Sequence, residues 1–239
     1  MTLDEILRSL FPEGHAVEIR PDGLIAGHGR LGAGAITVIG VAGGTALGIE
    51  GALALAGRVL DVVRSGGSDA ILVLVDSDSQ RMSRRDELLG LNEFLAHLAK
   101  TLLLAERAGH PTIGLVYGGT AAGAFIATAL ATQILVALPG AHPSVMDLPS
   151  VARVTKLPLE KLQEMARSTP VFAPGLDNMI QTGAVTATLD PREPLGPQIR
   201  ALLDALPSRD ERGRLGALRG GRPVAKAIAD RVVSEARPG

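Results

Sequence analysis

Apolar runs and amphipathic stripes alternate along this chain with turns rich in glycine and proline. Continuous runs of Ala, Val, Leu and Ile predict buried strands, and apolar residues that recur at intervals of three and four predict helices. The predicted strands lie at 15–20, 24–28, 35–41, 70–75, 112–116, 133–137, 143–147 and 184–189. The predicted helices lie at 3–10, 46–64, 86–108, 121–131, 149–156, 158–167, 195–206 and 223–236.

The clearest helix is predicted at 86–108, because Leu and Ala recur there on one stripe. The residues of this stripe are Leu88, Leu91, Leu95, Leu98, Leu102 and Ala105. The middle of the chain repeats strand, glycine turn, helix and strand, which predicts an α/β fold with largely parallel strands. We expect a single domain over 1–239, with a core at about 15–190, a surface loop at 208–222 and a helical C-terminal segment at about 191–239.

The composition raises the question of a membrane protein. The mean hydropathy is +0.25, aromatic residues make up 2% of the chain, and no charged residue lies between Arg107 and Asp147. Such a stretch is long enough to cross a bilayer. However, Pro111, Gly118 and Gly119, and Pro139 and Gly140 interrupt it, and glycines interrupt the apolar stretch 31–49 in the same way. We therefore predict buried strands with glycine turns and no membrane span.

Charge and cysteine content exclude several other classes. With 24 Lys and Arg against 25 Asp and Glu, the formal net charge is −1, which argues against a nucleic-acid partner. Because the chain has no cysteine, it has no disulfide and no cysteine-bound metal. Residues 1–5 are acidic, unlike the basic start of a secretion signal, so we expect a cytoplasmic protein.

Common catalytic and cofactor motifs are missing or lie in the wrong context. Residues 27–32 match G-x-G-x-x-G, but a strand is predicted after them instead of the helix that a dinucleotide site requires. They are therefore predicted to be hairpin or loop glycines. The sequence contains no phosphate-binding P-loop and no G-x-S-x-G elbow, and its five histidines lack zinc-binding spacing.

One glycine turn joins a buried strand to a helix of small residues. It comprises Tyr117, Gly118, Gly119, Thr120 and Ala121. Backbone N–H groups at such a turn are suited to hold a carbonyl oxygen that gains negative charge. The glycines are equally consistent with close packing of helix on strand. Covalent catalysis is not expected, because no Ser or Cys stands at the turn.

Two further strand ends have similar features. Gly43 and Gly44 follow an earlier strand, where close packing is the favoured interpretation. The polar loop 76–83 follows another strand, and its amides together with Arg81, Arg84 and Arg85 offer a surface for an anion. An ordinary solvated loop is the alternative for this segment.

Four segments stand out within these units: Val75-Asp76-Ser77, the run 83–92 (Ser-Arg-Arg-Asp-Glu-Leu-Leu-Gly-Leu-Asn), the glycine turn with its helix at 117–125, and 145–149. With these segments the chain resembles the crotonase-like fold, a spiral of ββα units, and more narrowly its carboxyltransferase branch. The sequence looks most like the gamma subunits of biotin-independent malonate decarboxylases over about residues 15–190.

The resemblance implies a shared reaction. In that family a beta and a gamma subunit together decarboxylate malonyl, which is carried as a thioester on the thiol of an acyl carrier protein's prosthetic group. The products are the acetyl thioester and CO2, so the implied class is a carbon–carbon lyase that is active in a complex. The implied partners are a beta-type subunit, the acyl carrier protein and the acyltransferase subunit of the same complex. No cofactor or metal bound by this chain is implied.

The resemblance also implies a site built from backbone amides. The expected catalytic residues are Gly119 and Thr120 in the glycine turn and Ser79 and Gln80 in the polar loop, where relatives carry a glycine. Gly118 and Ala121 are expected to bind substrate. Arg84 or Arg85 is expected to steer the carboxylate or the acidic carrier protein.

Three alternatives remain open at this point. A biotin-dependent acyl-CoA carboxyltransferase subunit would present the same amides to carboxybiotin. A hydratase would need carboxylates to add water, and Asp147 is the one acid near the expected place. A non-catalytic structural half of such a complex would tolerate the loss of the amides.

Overall fold

A seven-stranded mixed sheet forms the centre of the molecule. The computed structural model describes residues 1–168, 174–221 and 223–236. Its strands are β1 (Ala16–Ile19), β2 (Leu24–Leu31), β3 (Gly34–Val41), β4 (Ala70–Val75), β5 (Thr112–Val116), β6 (Gly119–Ala121), β7 (Ile134–Ala137), β8 (His142–Ser144) and β9 (Ala187–Thr188). The sheet order is β1-β2-β3-β4-β5-β7-β9, and β6 pairs with β8 in a separate parallel sheet of two strands. The pairs β1–β2 and β2–β3 are antiparallel and the remaining pairs are parallel, as an α/β fold requires.

Helices precede, connect and follow these strands. They are α1 (Leu3–Leu10), α2 (Ile49–Ser65), α3 (Arg84–Leu88), α4 (Leu91–Arg107), α5 (Ala122–Ala127), α6 (Leu148–Thr155), α7 (Leu159–Ser168), α8 (Leu176–Gln181), α9 (Leu195–Asp204), α10 (Arg212–Leu218) and α11 (Pro223–Ala236). The crossover helices α2 and α4 pack together on one face. Helices α1 and α9 pack on the other face. The predicted α/β class is therefore confirmed.

Strand β4 shows why the apolar runs form strands. All six of its residues are buried. Ile71, Val73 and Val75 pack into the core under α2 and α4, whereas Leu72 and Leu74 pack into the core under α1 and α9. Successive side chains of a strand point to opposite faces, so a strand covered on both faces reads as a continuous apolar run. No helix in the described ranges is long and apolar enough to cross a membrane.

The predicted helix at 86–108 is in fact two helices. Gly90 adopts a left-handed conformation, with φ of 81°, and separates α3 from α4. Gly90 places Leu88 on the surface, where 76% of it is exposed, so the prediction that Leu88 belongs to the buried stripe is wrong. The rest of the stripe, from Leu91 to Ala105, is buried as expected.

Several shorter elements also differ from the predictions. The helix predicted at 121–131 ends at Ala127, and the strands predicted at 143–147 and 184–189 shrink to β8 and β9. The surface loop predicted at 208–222, apart from residue 222 outside the described residues, contains α10. A Cβ atom on Gly216 would lie 2.4 Å from the Thr182 carbonyl oxygen, so close packing of α10 explains a glycine that sequence reasoning assigned to a loop.

The glycines of the G-x-G-x-x-G match lie in a hairpin. Gly27 and Gly29 are part of β2, and Gly32 lies in the turn between β2 and β3. The hairpin interpretation is confirmed, and the strand that follows leaves no helix N-terminus for a pyrophosphate.

Candidate functional site

Three parallel strands end side by side and deliver three loops to one edge of the sheet. Strands β3, β4 and β5 are neighbours, and Val75 at the end of β4 pairs with both Val41 and Val116. The following loops are 42–48, 76–83 and 117–121. The carboxyl edge of a parallel sheet is where α/β proteins commonly bind ligands.

Direct hydrogen bonds join the polar loop to the glycine turn. The Ser77 N–H donates to the Gly119 carbonyl oxygen at 2.7 Å, and the Gly119 N–H donates to Asp76 Oδ1 at 3.1 Å. The hydroxyl oxygens of Ser77 and Thr120 lie 2.8 Å apart in a buried position. The structure therefore brings together the two loops that the sequence singled out.

Asp76 is a component of this site that sequence reasoning missed. Its carboxylate accepts from the Gly119 amide, so that amide already has a protein acceptor. A Cβ atom on Gly118 would lie 2.1 Å from Asp76 Oδ1, so Gly118 must be glycine if the carboxylate is to keep its place. The available signal was position, since Asp76 is the first polar residue after the buried strand β4.

Gln80 contacts two other segments of the edge. Its side-chain Oε1 accepts from the Gly123 N–H at 2.8 Å. Its backbone lies in an isolated bridge with Leu47, whose N–H donates to the Ser79 carbonyl oxygen at 2.9 Å. These bonds fix the loop at Ser79 and Gln80 between the start of α2 and the start of α5.

The backbone N–H groups of Ser79 and Gln80 remain available as donors. Within 1–168, 174–221 and 223–236, neither group has an acceptor in hydrogen-bonding geometry, and the same holds for the N–H of Gly118. Ser79, Gln80 and Gly118 are only partly buried, so a ligand can reach them. Free N–H groups at the carboxyl edge of the sheet are therefore candidates to hold an anionic oxygen.

The helix after the glycine turn is shorter than the sequence predicted. Helix α5 has six residues instead of the predicted eleven-residue span 121–131, and Ala122 begins it with a φ of 50°. Gly119, Thr120 and Ala121 form strand β6, which pairs with β8. The Thr120 hydroxyl is engaged with Ser77. Because α5 is short and β6 precedes it, the loop amides, and not a long helix N-terminus, are the candidate donors.

The two predicted steering arginines have different surroundings. Arg85 donates to Glu50 Oε1 at 2.6 Å and lies 3.3 Å from Asp86 Oδ1. Arg84 is exposed, and no ion pair to it occurs within the described part of the chain. Arg84 is therefore the arginine that is better placed to meet an acidic partner.

The Asp86 side chain in α3 is fully buried beside Arg81, whose Nε lies 2.7 Å from Asp86 Oδ2. The hydrogen bond from Arg81 and, secondarily, its positive charge hold the pKa of Asp86 below its usual range despite burial.

A second acid, Asp147, accepts from the Ser150 N–H at 2.8 Å and caps α6. The capping role gives Asp147 a structural explanation that does not call for a hydratase.

A cavity of about 530 Å³ adjoins the edge on the side of α1. Asp76 and Tyr117 line it together with Gly43 and Arg20. The Tyr117 hydroxyl is buried without a hydrogen-bond partner in the described residues, and burial followed by the nearby Asp76 charge raises its pKa. Among the described residues, no three His, Cys, Asp or Glu side chains cluster as metal ligands would.

Comparisons with known proteins agree with this architecture. Residues 42–236 match the family model for the malonate decarboxylase gamma subunit. A protein of Malonomonas rubra named malonyl-S-ACP:biotin-protein carboxyltransferase is 30% identical over 168 residues, which are 64% of this chain and 58% of that relative. The chain thus spans only about three fifths of the length of that relative.

Solved structures extend the likeness to the whole chain. A chain of a Pseudomonas malonate decarboxylase hetero-tetramer, solved in complex with coenzyme A, has a TM-score of 0.79 at 27% identity and covers 97% of each chain. Transcarboxylase 12S has a TM-score of 0.68 at 16% identity and covers 85% of this chain and 40% of that one. The second likeness shows the fold alone, and both confirm the predicted crotonase-like carboxyltransferase fold.

Proposed function

This chain belongs to the malonate decarboxylase gamma subunit family, and from that premise we propose that it works with a beta-type partner to decarboxylate malonyl thioesters. The substrate is malonyl on the thiol of an acyl carrier protein's prosthetic group, and the acyltransferase subunit of the same complex loads it. The chain itself needs no bound cofactor for this step. The activity is that of a carbon–carbon lyase that requires the complex, and a cytoplasmic location is part of the proposal.

The reaction requires stabilisation of the negative charge that develops on one oxygen atom. The bond between the carboxylate carbon and the α carbon breaks, CO2 leaves, and the bonding electrons form an enolate whose charge rests on the thioester oxygen. A proton then adds to the α carbon and gives the acetyl thioester. N–H groups that are in place before the charge develops stabilise the transition state more than the ground state.

The observation that carries the proposal is the pair of free N–H groups at Ser79 and Gln80 beside the glycine turn. We assign them as the first donors to the enolate oxygen. Gly118 adds a third free N–H, and the Gly119 N–H joins when the oxygen replaces Asp76 as its acceptor. Thr120 and Ala121 fix the turn through β6, and Arg84 is assigned to attract the carboxylate or the acidic carrier protein.

A proline substitution tests the donor assignment. Ser79→Pro removes the N–H of residue 79, and we expect kcat of the assembled complex to fall by about 100- to 1000-fold. Ser79→Ala keeps this N–H and loses a hydroxyl that donates only to the neighbouring Gln80 carbonyl, so its loss should be far smaller. Gly119→Pro should likewise abolish turnover while the complex still assembles.

If the chain is only a non-catalytic structural half of the complex, these substitutions should leave turnover unchanged. If Ser79→Pro and Gly119→Pro turn over malonyl thioester as fast as the wild type, these amides do not hold the enolate and the assignment is wrong. Size-exclusion chromatography with the beta-type partner shows whether a slow variant is still assembled.

The Malonomonas rubra relative favours one second candidate. That relative is named as a carboxyltransferase from malonyl-S-ACP to a biotin protein. The same amides would then stabilise the enolate oxygen while the carboxyl group moves to biotin. Assays with a biotinyl carrier protein, and with avidin to sequester it, separate the two functions. Decarboxylation that is indifferent to both additions supports the biotin-independent reaction, whereas strict dependence on the biotinyl protein supports the second candidate.

A further inference from the structure

A buried carboxylate lies beneath the loop that presents the free N–H groups. Asp86 is 0% exposed, and Arg81 donates to it from Nε at 2.7 Å and from Nη2 at 3.0 Å. Such a two-point contact fixes the direction of the guanidinium as well as its distance. The Asp86 N–H in turn donates to the Ser83 hydroxyl at 3.2 Å, which anchors the carboxylate at the start of α3.

The backbone of Arg81 is continuous with the free N–H groups. The Arg81 N–H donates to the Leu47 carbonyl oxygen at 2.8 Å, and the Leu47 N–H donates to the Ser79 carbonyl oxygen at 2.9 Å. Ser79 and Arg81 flank Gln80 and are both bonded to Leu47, and the Arg81 side chain adds the contact with Asp86. The contact with Asp86 is therefore one of those that fix the segment 79–81.

Glycine at position 48 makes room for the guanidinium. A Cβ atom there would lie 2.3 Å from Arg81 Cζ and 2.4 Å from Nη2. Gly48 has ordinary extended backbone angles, φ −105° and ψ −173°, so it is the space taken by the guanidinium, and not the backbone, that favours glycine. The start of α2 therefore lies directly against the Arg81 guanidinium that contacts Asp86.

We propose that Arg81 and Asp86 are positioning residues for the decarboxylation, holding the N–H groups of Ser79 and Gln80 at the place where the enolate oxygen forms. The inference rests on the proposed function, because it gives those N–H groups a role. Neither side chain touches the substrate. They act through the backbone of 79–81, while Glu50 and Arg85 form the solvent-exposed part of the same network.

Gly48→Ala is the sharpest test, because it displaces the guanidinium while both charges remain. We expect kcat to fall by about 10- to 100-fold, the cost typical of a slightly misplaced catalytic group. KM for malonyl-acyl carrier protein should stay close to the wild-type value. Gly57→Ala, within α2 itself, is the matched control, because a Cβ atom there meets nothing within 4 Å. Its kcat should equal that of the wild type.

Substitution of Arg81 gives an independent readout. Arg81→Gln should lower kcat as Gly48→Ala does. Arg81→Lys should recover part of it, because an ammonium keeps the charge but not the two-point geometry. Melting temperature and co-elution with the beta-type partner are measured for every variant, so that a loss of folding or assembly is recognised.

The outcomes separate the inference from the proposed function. If folded and assembled Gly48→Ala and Arg81→Gln show wild-type kcat while Ser79→Pro is inactive, the positioning role is wrong and the function stands. If Ser79→Pro is also fully active, the proposed function fails with it. A rise in KM at unchanged kcat would assign the pair to substrate binding and overturn the positioning role.

Discussion

The side-chain hydroxyls of Ser77 and Thr120 form a buried hydrogen bond of 2.8 Å across 43 positions of sequence. Ser77 leaves the end of β4, and Thr120 lies in β6 just after β5. Because β4 and β5 are parallel neighbours, the two hydroxyls meet at the edge where the strands end. The bond joins the polar loop and the glycine turn into one surface.

Thr120→Val should destabilise the chain through this bond. The substitution keeps the side-chain shape but leaves the buried Ser77 hydroxyl without its partner, which costs about 1–3 kcal/mol. Ser77→Ala/Thr120→Val removes both hydroxyls and should cost less than the sum of the two single variants. Urea unfolding of the four proteins gives the coupling energy, and strict additivity would show that the bond contributes nothing.

The meeting of these loops could be predicted from the sequence because it depends on strand order and direction. The continuous apolar run 70–75 and the run at 112–116 identify two buried strands, and a helix between them predicts parallel neighbours. The carboxyl ends of such strands share one edge, and the family resemblance implies a site formed by Ser79, Gln80, Gly118 and Gly119 there.

The support beneath the loops could not be predicted. An unbroken apolar stripe from Leu88 favours one helix, and only the left-handed Gly90 separates α3 and points Asp86 inward. The ion pair between the half-exposed Arg81 and the buried Asp86 looks, in sequence, like an ordinary charged loop. The contact of Asp76 with the Gly119 amide is likewise a side-chain-to-backbone bond, which has no pattern in the sequence.

Core packing on the α1 face should depend on Leu72. It is fully buried within the sheet, so Leu72→Ala removes its methyl groups and leaves a cavity, at a cost of about 2–5 kcal/mol. Leu103→Ala makes the same chemical change at a site that is 43% exposed and should cost far less. Denaturant unfolding compares the two, and equal losses would contradict the two-sided burial of β4.

Glu50 should make stability depend on pH in the acid range. Its own backbone N–H, then Arg81 and Arg85, lower its pKa from 4.5 to about 2. Its folded pKa is depressed, so its stabilising effect is present above pH 4.5 and is lost as the pH falls towards 2.

Glu50→Gln tests this effect. The variant should melt at a lower temperature than the wild type at neutral pH, and the gap should close as the pH falls from 4.5 to 2. Added salt should also narrow the gap, because the carboxylate is more than half exposed and salt screens such charges. A gap that is constant across this pH range would show that the carboxylate charge is not responsible.

Gly118→Ala should damage activity more than stability. The added Cβ would lie 2.1 Å from Asp76 Oδ1, so the carboxylate has to swing away, and the glycine turn loses the contact that fixes the Gly119 N–H before substrate arrives. The turn then presents its amides at altered positions, and a displacement of this kind costs up to about 100-fold in rate. Gly213→Ala is the matched control, since a Cβ atom there meets nothing within 4 Å. Steady-state kinetics of the complex, with circular dichroism on both variants, measures the effect. Wild-type kcat in a folded Gly118→Ala variant would mean that the position of Asp76 does not govern the glycine turn.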